Sequence, residues 1–236
     1  MTNREALQTG AIYPPATLQA FFDVAQKHNL ALFLDETYRD FIGSQPHNLF
    51  APTTGWHGTL VHLFSFSKSY AIPGARLGAV VADPSFILHL NKALDTVQIC
   101  PPRAAQHALA AVLPQFKPFI ERTAAELRDR QVAFNDALPS SWRIASAGGY
   151  FAFVCHPFQG VTASVVCHYL ASQHGVVMLP AECFGYGASD DKDAAVTDEK
   201  RWIRASIAAI GAERMPDLRR ALLAADSHFA SLKSAT

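Results

Sequence analysis

Charge is scarce in this chain. Of its 236 residues, 17% are Asp, Glu, Lys or Arg, against about 25% in an average globular protein. Twenty Lys and Arg balance twenty Asp and Glu, so the formal net charge is zero. The basic footprint of a nucleic-acid binder is missing, and no block of like charge marks an interaction tail. Cysteine is scarce too. Cys100, Cys155, Cys167 and Cys183 are scattered without a Cys-x-x-Cys pair, which speaks against a disulfide framework and suits a reduced, cytoplasmic chain. Long apolar runs are also lacking. The longest stretch without Asp, Glu, Lys or Arg lies between Arg143 and Glu182, and Gly148, Gly149, Pro157, Gly160, Gly175 and Pro180 interrupt it. It never offers the roughly 18 continuous apolar residues of a membrane span. Met1 to Ala6 hold no apolar signal core, so no membrane partner is expected. What is plentiful is apolar side chain, at 50%, enough to offset the entropy of ordering. At roughly 100–200 residues per domain, the length suits one large domain or two modest ones.

The first third reads as alternating helix and strand, the grammar of an α/β domain. Pro14-Pro15 opens a helix, and Leu18, Phe21, Phe22 and Ala25 fall on one face of it, with Asn29 as its stop. Ala31 to Leu34 read as a strand buried on both faces. Further strands are expected over Thr59–Phe66 and Arg76–Ala82. Asp83-Pro84 caps a helix that should carry Phe86, Leu90 and Leu94 inward. Pro101-Pro102 mark a break, Arg103–Val112 a helix, and Phe116–Leu138 a long amphipathic helix able to lead from one domain into the next. Beyond Pro139 the pattern becomes a smaller α+β unit. Strands are expected at Trp142–Ala145, Tyr150–Cys155, Val176–Leu179 and Trp202–Ile207, and helices at Ala163–Gln173 and Ala212–Leu232. Ser189–Arg201 reads as a polar connector. The expected division is residues 1–115 and 116–236.

Three local features carry chemistry. The first is Leu34-Asp35-Glu36-Thr37-Tyr38, a carboxylate where an apolar strand ends, with a phenol three residues later. Ligands of open α/β sheets bind outside the carboxyl ends of the strands, and a buried Asp requires a cation or donors. The second is Ser65-Phe66-Ser67-Lys68, followed by Pro73-Gly74-Ala75-Arg76-Leu77-Gly78: two hydroxyls and an amine at one strand end, and a guanidinium at the start of the next strand. The third is Arg204 within the apolar strand segment Trp202 to Ile207. Taken singly, each has an ordinary reading: Lys68 a solvated strand end, Asp35 a cap, Tyr38 a packing residue, Arg76 half of a surface ion pair, Ser65 and Ser67 turn residues. Arg201 competes with Arg204 and reads as solvated. Cys155-His156 and Cys167-His168 lack the spacing of a zinc site, and no metal is expected.

Taken together, these segments resemble the class I/II, fold-type I pyridoxal-phosphate aminotransferases. Ser-x-Ser-Lys with Gly-x-Arg-x-Gly is the specific part, and Asp-x-x-Tyr lies 33 residues before the lysine. Gly148-Gly149-Tyr150-Phe151 and Pro180 with Phe184-Gly185 resemble family signposts in the small domain. The resemblance implies a partial fold-type I large domain of about three strands with helices, plus a smaller C-terminal α+β domain. It implies pyridoxal 5'-phosphate as cofactor and an amino acid and a 2-oxo acid as substrates. It assigns Lys68 the Schiff base and the proton transfer, Asp35 the pyridine nitrogen, Tyr38 the phenolic oxygen, Ser65 and Arg76 the cofactor's phosphate, Ser67 a further cofactor contact, and Arg204 the substrate α-carboxylate.

The resemblance also marks departures. Family members run to about 400 residues, beyond the one-domain prior, and this sequence opens where their Asn-Pro-x-Asn-Pro-Thr-Gly segment stands. Leu7 takes the place of an asparagine that would bond the phenolic oxygen. The expectation is an N-terminally truncated aminotransferase, with unpaired sheet edges and uncovered faces, completed by a homodimer or by a partner chain supplying the missing half. Two alternatives stay open: a non-catalytic remnant acting through a partner, and a lyase or synthase of the same fold.

Overall fold

The computed structural model describes residues 10–43, 47–186 and 197–233. These divide into two compact units, one of residues 12–124 and one of residues 10–11 and 125–233, the division falling inside one long helix. Leu7 lies outside the described residues, as does most of the polar connector.

The first unit begins with helix α1 (Pro15–Lys27), which has a proline at its start and buries Phe22 and Ala25. It stops through Asn29, whose φ of 52° lies in the left-handed region that Asn tolerates better than most residues. Strand β1 (Leu32–Asp35) runs parallel to β2 (Leu60–Ser65), in register from Leu32↔Leu60 to Asp35↔Leu63. Strand β3 (Gly78–Val81) returns antiparallel, from Ser65↔Gly78 to His62↔Val81, giving the sheet order β1-β2-β3. A one-turn helix α2 (Phe66–Ser69) follows β2, and helices α3 (Pro84–Val97) and α4 (Arg103–Val112) follow β3. Asp83 caps α3 as expected, accepting from Ser85 N at 2.9 Å.

Side chains alternate across β1. Leu32 and Leu34 join Phe22, Ala25, Leu49 and Leu60 in a core. Phe33 meets Phe86 of α3 edge-on, with ring centroids 5.9 Å apart. Only one face of β1 is therefore fully buried, against the expected two. Of the three residues expected to point inward from α3, Phe86 packs on Phe33 and Leu90 is half-buried, but Leu94 is exposed and no residue of the helix is fully buried. Leu88 lies on the helix side away from Phe86, and Val97 and Ile99 lie at and beyond the helix end; they stand 58%, 83% and 75% exposed.

The long helix α5 (Lys117–Ala137) leads into the second unit. There β4 (Arg143–Gly148), β5 (Phe151–Cys155), β6 (Leu179–Pro180) and β7 (Trp202–Ser206) form a sheet of order β4-β5-β7-β6, antiparallel at each pairing. Helix α6 (Ala163–His174) is capped by Thr162 and closed by Gly175 at φ 65°, and α7 (Met215–Lys233) follows. The strand expected from Val176 is only the two residues of β6, and Ala212–Arg214 form a 3-10 turn ahead of α7. Ala152, Val154, Ile203 and Ala205 face a core shared with Val166 and Leu170 of α6 and with Leu218 and Leu222 of α7. Twenty buried residues make up this core, against six in the first unit. At about 1.5–3 kcal/mol per fully buried large apolar side chain, the second unit carries the greater packing stability. No helix among the described residues is long and apolar enough to cross a membrane.

Candidate active site

The parallel register of β1 and β2 brings Asp35 and Ser65 to the same end of the sheet. Because β3 is antiparallel and starts with Gly78 opposite Ser65, the residues just before it, including Arg76, come to that end as well. Tyr38 follows β1, and Lys68 sits in α2 directly after β2. Five of the expected site residues thus share one sheet end through strand direction alone, at the carboxyl ends of the parallel pair, where α/β sheets bind ligands. Ser67 sits in α2 beside Lys68.

Local chemistry sets each of them. Asp35 Oδ1 accepts from the Thr37 backbone N–H at 3.1 Å and from its hydroxyl at 2.7 Å. Both bonds fall on one oxygen, so Oδ2 is the atom that can meet a cationic N–H. Ser65 caps α2 by accepting from Ser67 N at 3.2 Å, which leaves the hydroxyl proton to donate to an anion. The contribution of Ser67 here is its backbone N–H. Lys68 and Tyr38 are half-buried. Arg76 is exposed and lies two residues before β3 rather than on it. Its Nη1 donates to Pro73 O at 2.8 Å, one of five guanidinium donors. Ala71 and Arg76 both hold positive φ, 53° and 54°, so the loop joining α2 to β3 begins and ends in a conformation L-residues rarely adopt. Tyr70 packs edge-on or tilted against Phe66 and Phe116, at 5.2 and 5.1 Å, and burial raises its pKa.

Arg204 belongs to the second unit. On β7, Ile203 and Ala205 point into the core, while Trp202, Arg204 and Ser206 take the other face. The Arg204 guanidinium carbon lies 4.5 Å from the Phe151 ring centroid and 4.1 Å from that of Phe184. Beside it, Phe153 and Trp202 stack at 5.1 Å. Gly10 lies against the same hairpin: at φ +72°, a Cβ there would stand 2.3 Å from Phe151 O, so only glycine fits. Arg201, expected to be solvated, is buried. It donates to His156 O at 2.7 Å and pairs with Asp198. A guanidinium held under protein in this way is tied to structure, which leaves Arg204 as the arginine standing on the outer sheet face.

A second cluster escaped the sequence reading. Glu36 lies between two imidazoles, with His47 Nε2 2.9 Å from Oε1 and His62 Nε2 2.8 Å from Oε2. Burial works to raise the Glu36 pKa, but the two histidines prevail and hold it at about 2. With Trp56, Phe50 and Tyr13, these groups line a cavity of about 710 Å³ that contains none of the expected site residues. The one available signal was Glu36 itself, adjacent to Asp35. No three His, Cys, Asp or Glu among the described residues are grouped to hold a metal.

Comparisons with known proteins bear on the family and the fold. The family model described as aminotransferase class I and II matches residues 8–222. Arginine–pyruvate transaminase AruH of Pseudomonas aeruginosa is 28% identical over 184 residues, covering 77% of this chain and 47% of that protein. The aromatic amino acid aminotransferase of Mycolicibacterium smegmatis is 29% identical over 207 residues, covering 83% and 53%. Among solved structures, the aromatic aminotransferase of Pyrococcus horikoshii superposes with a TM-score of 0.81 at 20% identity, covering 99% of this chain and 59% of that one. The α-aminoadipate aminotransferase LysN of Thermus thermophilus, solved with N-(5'-phosphopyridoxyl)-L-leucine, gives a TM-score of 0.76 at 20% identity, covering 95% and 57%. The chain spans about half the length of the curated relatives it matches.

Proposed function

The chain belongs to the class I and II aminotransferases, with a partial fold-type I architecture, and from that premise we propose that it transfers an amino group between an L-amino acid and a 2-oxo acid with pyridoxal phosphate as cofactor. The observation that carries this reading is the convergence of Asp35, Tyr38, Ser65, Lys68 and Arg76 on one end of the three-stranded sheet. The donor set suits that cofactor: a carboxylate for a pyridinium N–H, a phenol for a phenolate, a primary amine for an aldehyde, and a guanidinium with a hydroxyl for a phosphate. The cofactor, when bound, supplies an electrophilic aldehyde carbon and a ring able to accept an electron pair.

The chain's own residues supply the rest. Lys68 Nζ is the amine that would hold the cofactor at its aldehyde carbon, and the same amine would carry a proton to and from the substrate α-carbon. Asp35 Oδ2 holds the pyridine N–H in its protonated state. The Tyr38 hydroxyl donates to the ring oxygen. Arg76 and Ser65, with the backbone N–H of Ser67, hold the phosphate through charge-assisted bonds, which are roughly twice as strong as neutral ones. Arg204 binds the substrate carboxylate, with two parallel N–H donors meeting two oxygens.

Further polypeptide belongs to this reading, either a second copy or a partner chain. It is supported by the open edges of β1 and β3 among the described residues, by the uncovered apolar face of α3, and by Val81, which stands 46% exposed on its strand.

The test is borohydride reduction of the chain incubated with pyridoxal phosphate, followed by peptide mass mapping. A pyridoxyl group on Lys68, weakened in Asp35→Asn and Arg76→Ala, supports the reading, as does amino-group transfer from an amino acid to a supplied 2-oxo acid. A folded chain that takes no label on Lys68 defeats it.

A further inference from the structure

We infer that Phe151 and Phe184 are positioning residues that hold the Arg204 guanidinium in the orientation needed to receive a planar carboxylate. The inference rests on the reading of Arg204 as the carboxylate-binding residue, and it identifies what makes that arginine competent.

Two separate segments bring a ring to one guanidinium, which a third segment carries. Phe151 opens β5 immediately after the Gly148–Tyr150 turn, where Gly149 takes φ 54°. Phe184 ends the 3-10 turn Ala181–Phe184, which Gly185 closes at φ 80°. Arg204 lies mid-strand on β7, paired with Phe153 on one side and Leu179 on the other. Phe151 is two residues from Phe153, so it shares the sheet face of Arg204 and sits diagonal to it, within reach of a long side chain. The centroid distances of 4.5 and 4.1 Å are inside the roughly 6 Å range of cation–π attraction.

Stacked rings do two things to an arginine. They attract its positive charge through the ring quadrupole, and they oppose rotation of the guanidinium plane, because rotation would drive its N–H groups into a ring. The donors of a guanidinium lie in its plane. Where aromatic rings cover its faces, a partner must approach edge-on, which is the geometry of the bidentate carboxylate pair. Fixing that plane in advance lowers the ordering cost on binding. A lysine ammonium, with no plane to stack, gains none of this. The glycine turns matter as well. Gly10 fits against Phe151 O and Gly148 N only because it lacks a Cβ, so the start of β5 is packed closely against that glycine.

The experiment uses the full chain, uniformly ¹⁵N-labelled, as wild type and as Phe151→Leu, Phe184→Leu and Phe184→Tyr. The Arg204 Nε–H resonance is assigned by its loss in Arg204→Lys. Two quantities are read: guanidinium rotation from line shape, and the response of that resonance to pyruvate, a minimal 2-oxo carboxylate. The expected result is faster rotation in both leucine variants and pyruvate binding weakened about fivefold in each. The tyrosine variant should restore both, and the thermal midpoint should stay within a few degrees of wild type. Leucine variants that bind pyruvate as tightly as wild type overturn the inference while leaving the proposed function standing, and a lower midpoint in those variants would then assign the rings a merely structural role. A wild-type Arg204 resonance that pyruvate does not move overturns both.

Discussion

His47 donates from Nε2 to Glu36 Oε1 over 2.9 Å, and a third group decides which nitrogen carries its proton. The Leu49 backbone N–H donates to His47 Nδ1 at 3.2 Å. Nδ1 must therefore be the acceptor and Nε2 the donor. The segment from His47 to Leu49 is fastened to the sheet end through one tautomer of one imidazole.

This carboxylate makes stability depend on pH in a defined window. Glu36 is held at about 2 in the folded chain, against 4.5 ordinarily. A depressed carboxylate contributes stability that is complete above its unfolded pKa and is lost as pH falls through the folded value. The window is therefore about pH 4.5 down to about 2, and the loss is on the order of 3 kcal/mol at about 1.4 kcal/mol per unit. Glu36→Gln should lower stability at pH 7 by a few kcal/mol and flatten that part of the curve. Urea unfolding at a series of pH values checks it, and an unchanged slope counts against the cluster.

His156 should act in a higher window. Burial first, and then the Arg201 charge, lower its pKa from 6.5 to about 3. It stays neutral in the fold, so the unfolded chain binds the extra proton below about 6.5. The stability it contributes is complete above that pH and falls with acidification towards 3. Trp142 lies edge-on to His156, at 6.2 Å, and its fluorescence should report the loss. His156→Gln should remove it.

Arg201→Ala should destabilise the second unit without touching carboxylate binding. It leaves the buried His156 carbonyl with only the weak Cys155 thiol donor at 3.5 Å and releases Asp198. An unsatisfied buried polar group costs about 1–3 kcal/mol. Calorimetry of the variant tests this, with pyruvate titration as the control expected to match wild type.

The four thiols should divide by exposure. Cys100 and Cys183 are exposed, while Cys155 and Cys167 are buried. Burial, with the neighbouring Cys183 and Glu182, pushes Cys167 up to about 12, and the thiolate is the nucleophile. Brief alkylation of the native chain at pH 8 should label Cys100 and Cys183 within minutes and the other two only after denaturation. Mass mapping of the peptides decides.

The uncovered face of α3 should drive association. Leu88, Leu94, Val97 and Ile99 are exposed beside a sheet with open edges, an arrangement that invites pairing. Val97→Glu with Ile99→Lys should lower the apparent mass in light scattering at high protein concentration. A wild-type chain that is monomeric at every concentration rules this face out as an adhesive surface.

Much of this molecule was written locally. Pro14-Pro15, Asn29, Asp83-Pro84 and the alternation of Trp202 to Ser206 act within a few residues, through fixed φ, side-chain capping and strand period, and the elements they imply are present. The Ser-x-Ser-Lys and Asp-x-x-Tyr segments likewise stand out locally, and strand direction brings them to one sheet end. Tertiary structure alone decided the rest. Arg201 and Arg204 are three residues apart in one apolar stretch, yet one is buried under Asp198 and His156 while the other stands against Phe151 and Phe184. Glu36 meets His62 across 26 residues of sequence. Leu94 and Val97 of α3 share the helix side of Phe86 yet are exposed, which the helix's own periodicity cannot reveal. Caps and periodicity depend on neighbours a few residues away. Burial and charge pairing depend on which distant surfaces close over a residue, and only the folded chain settles that.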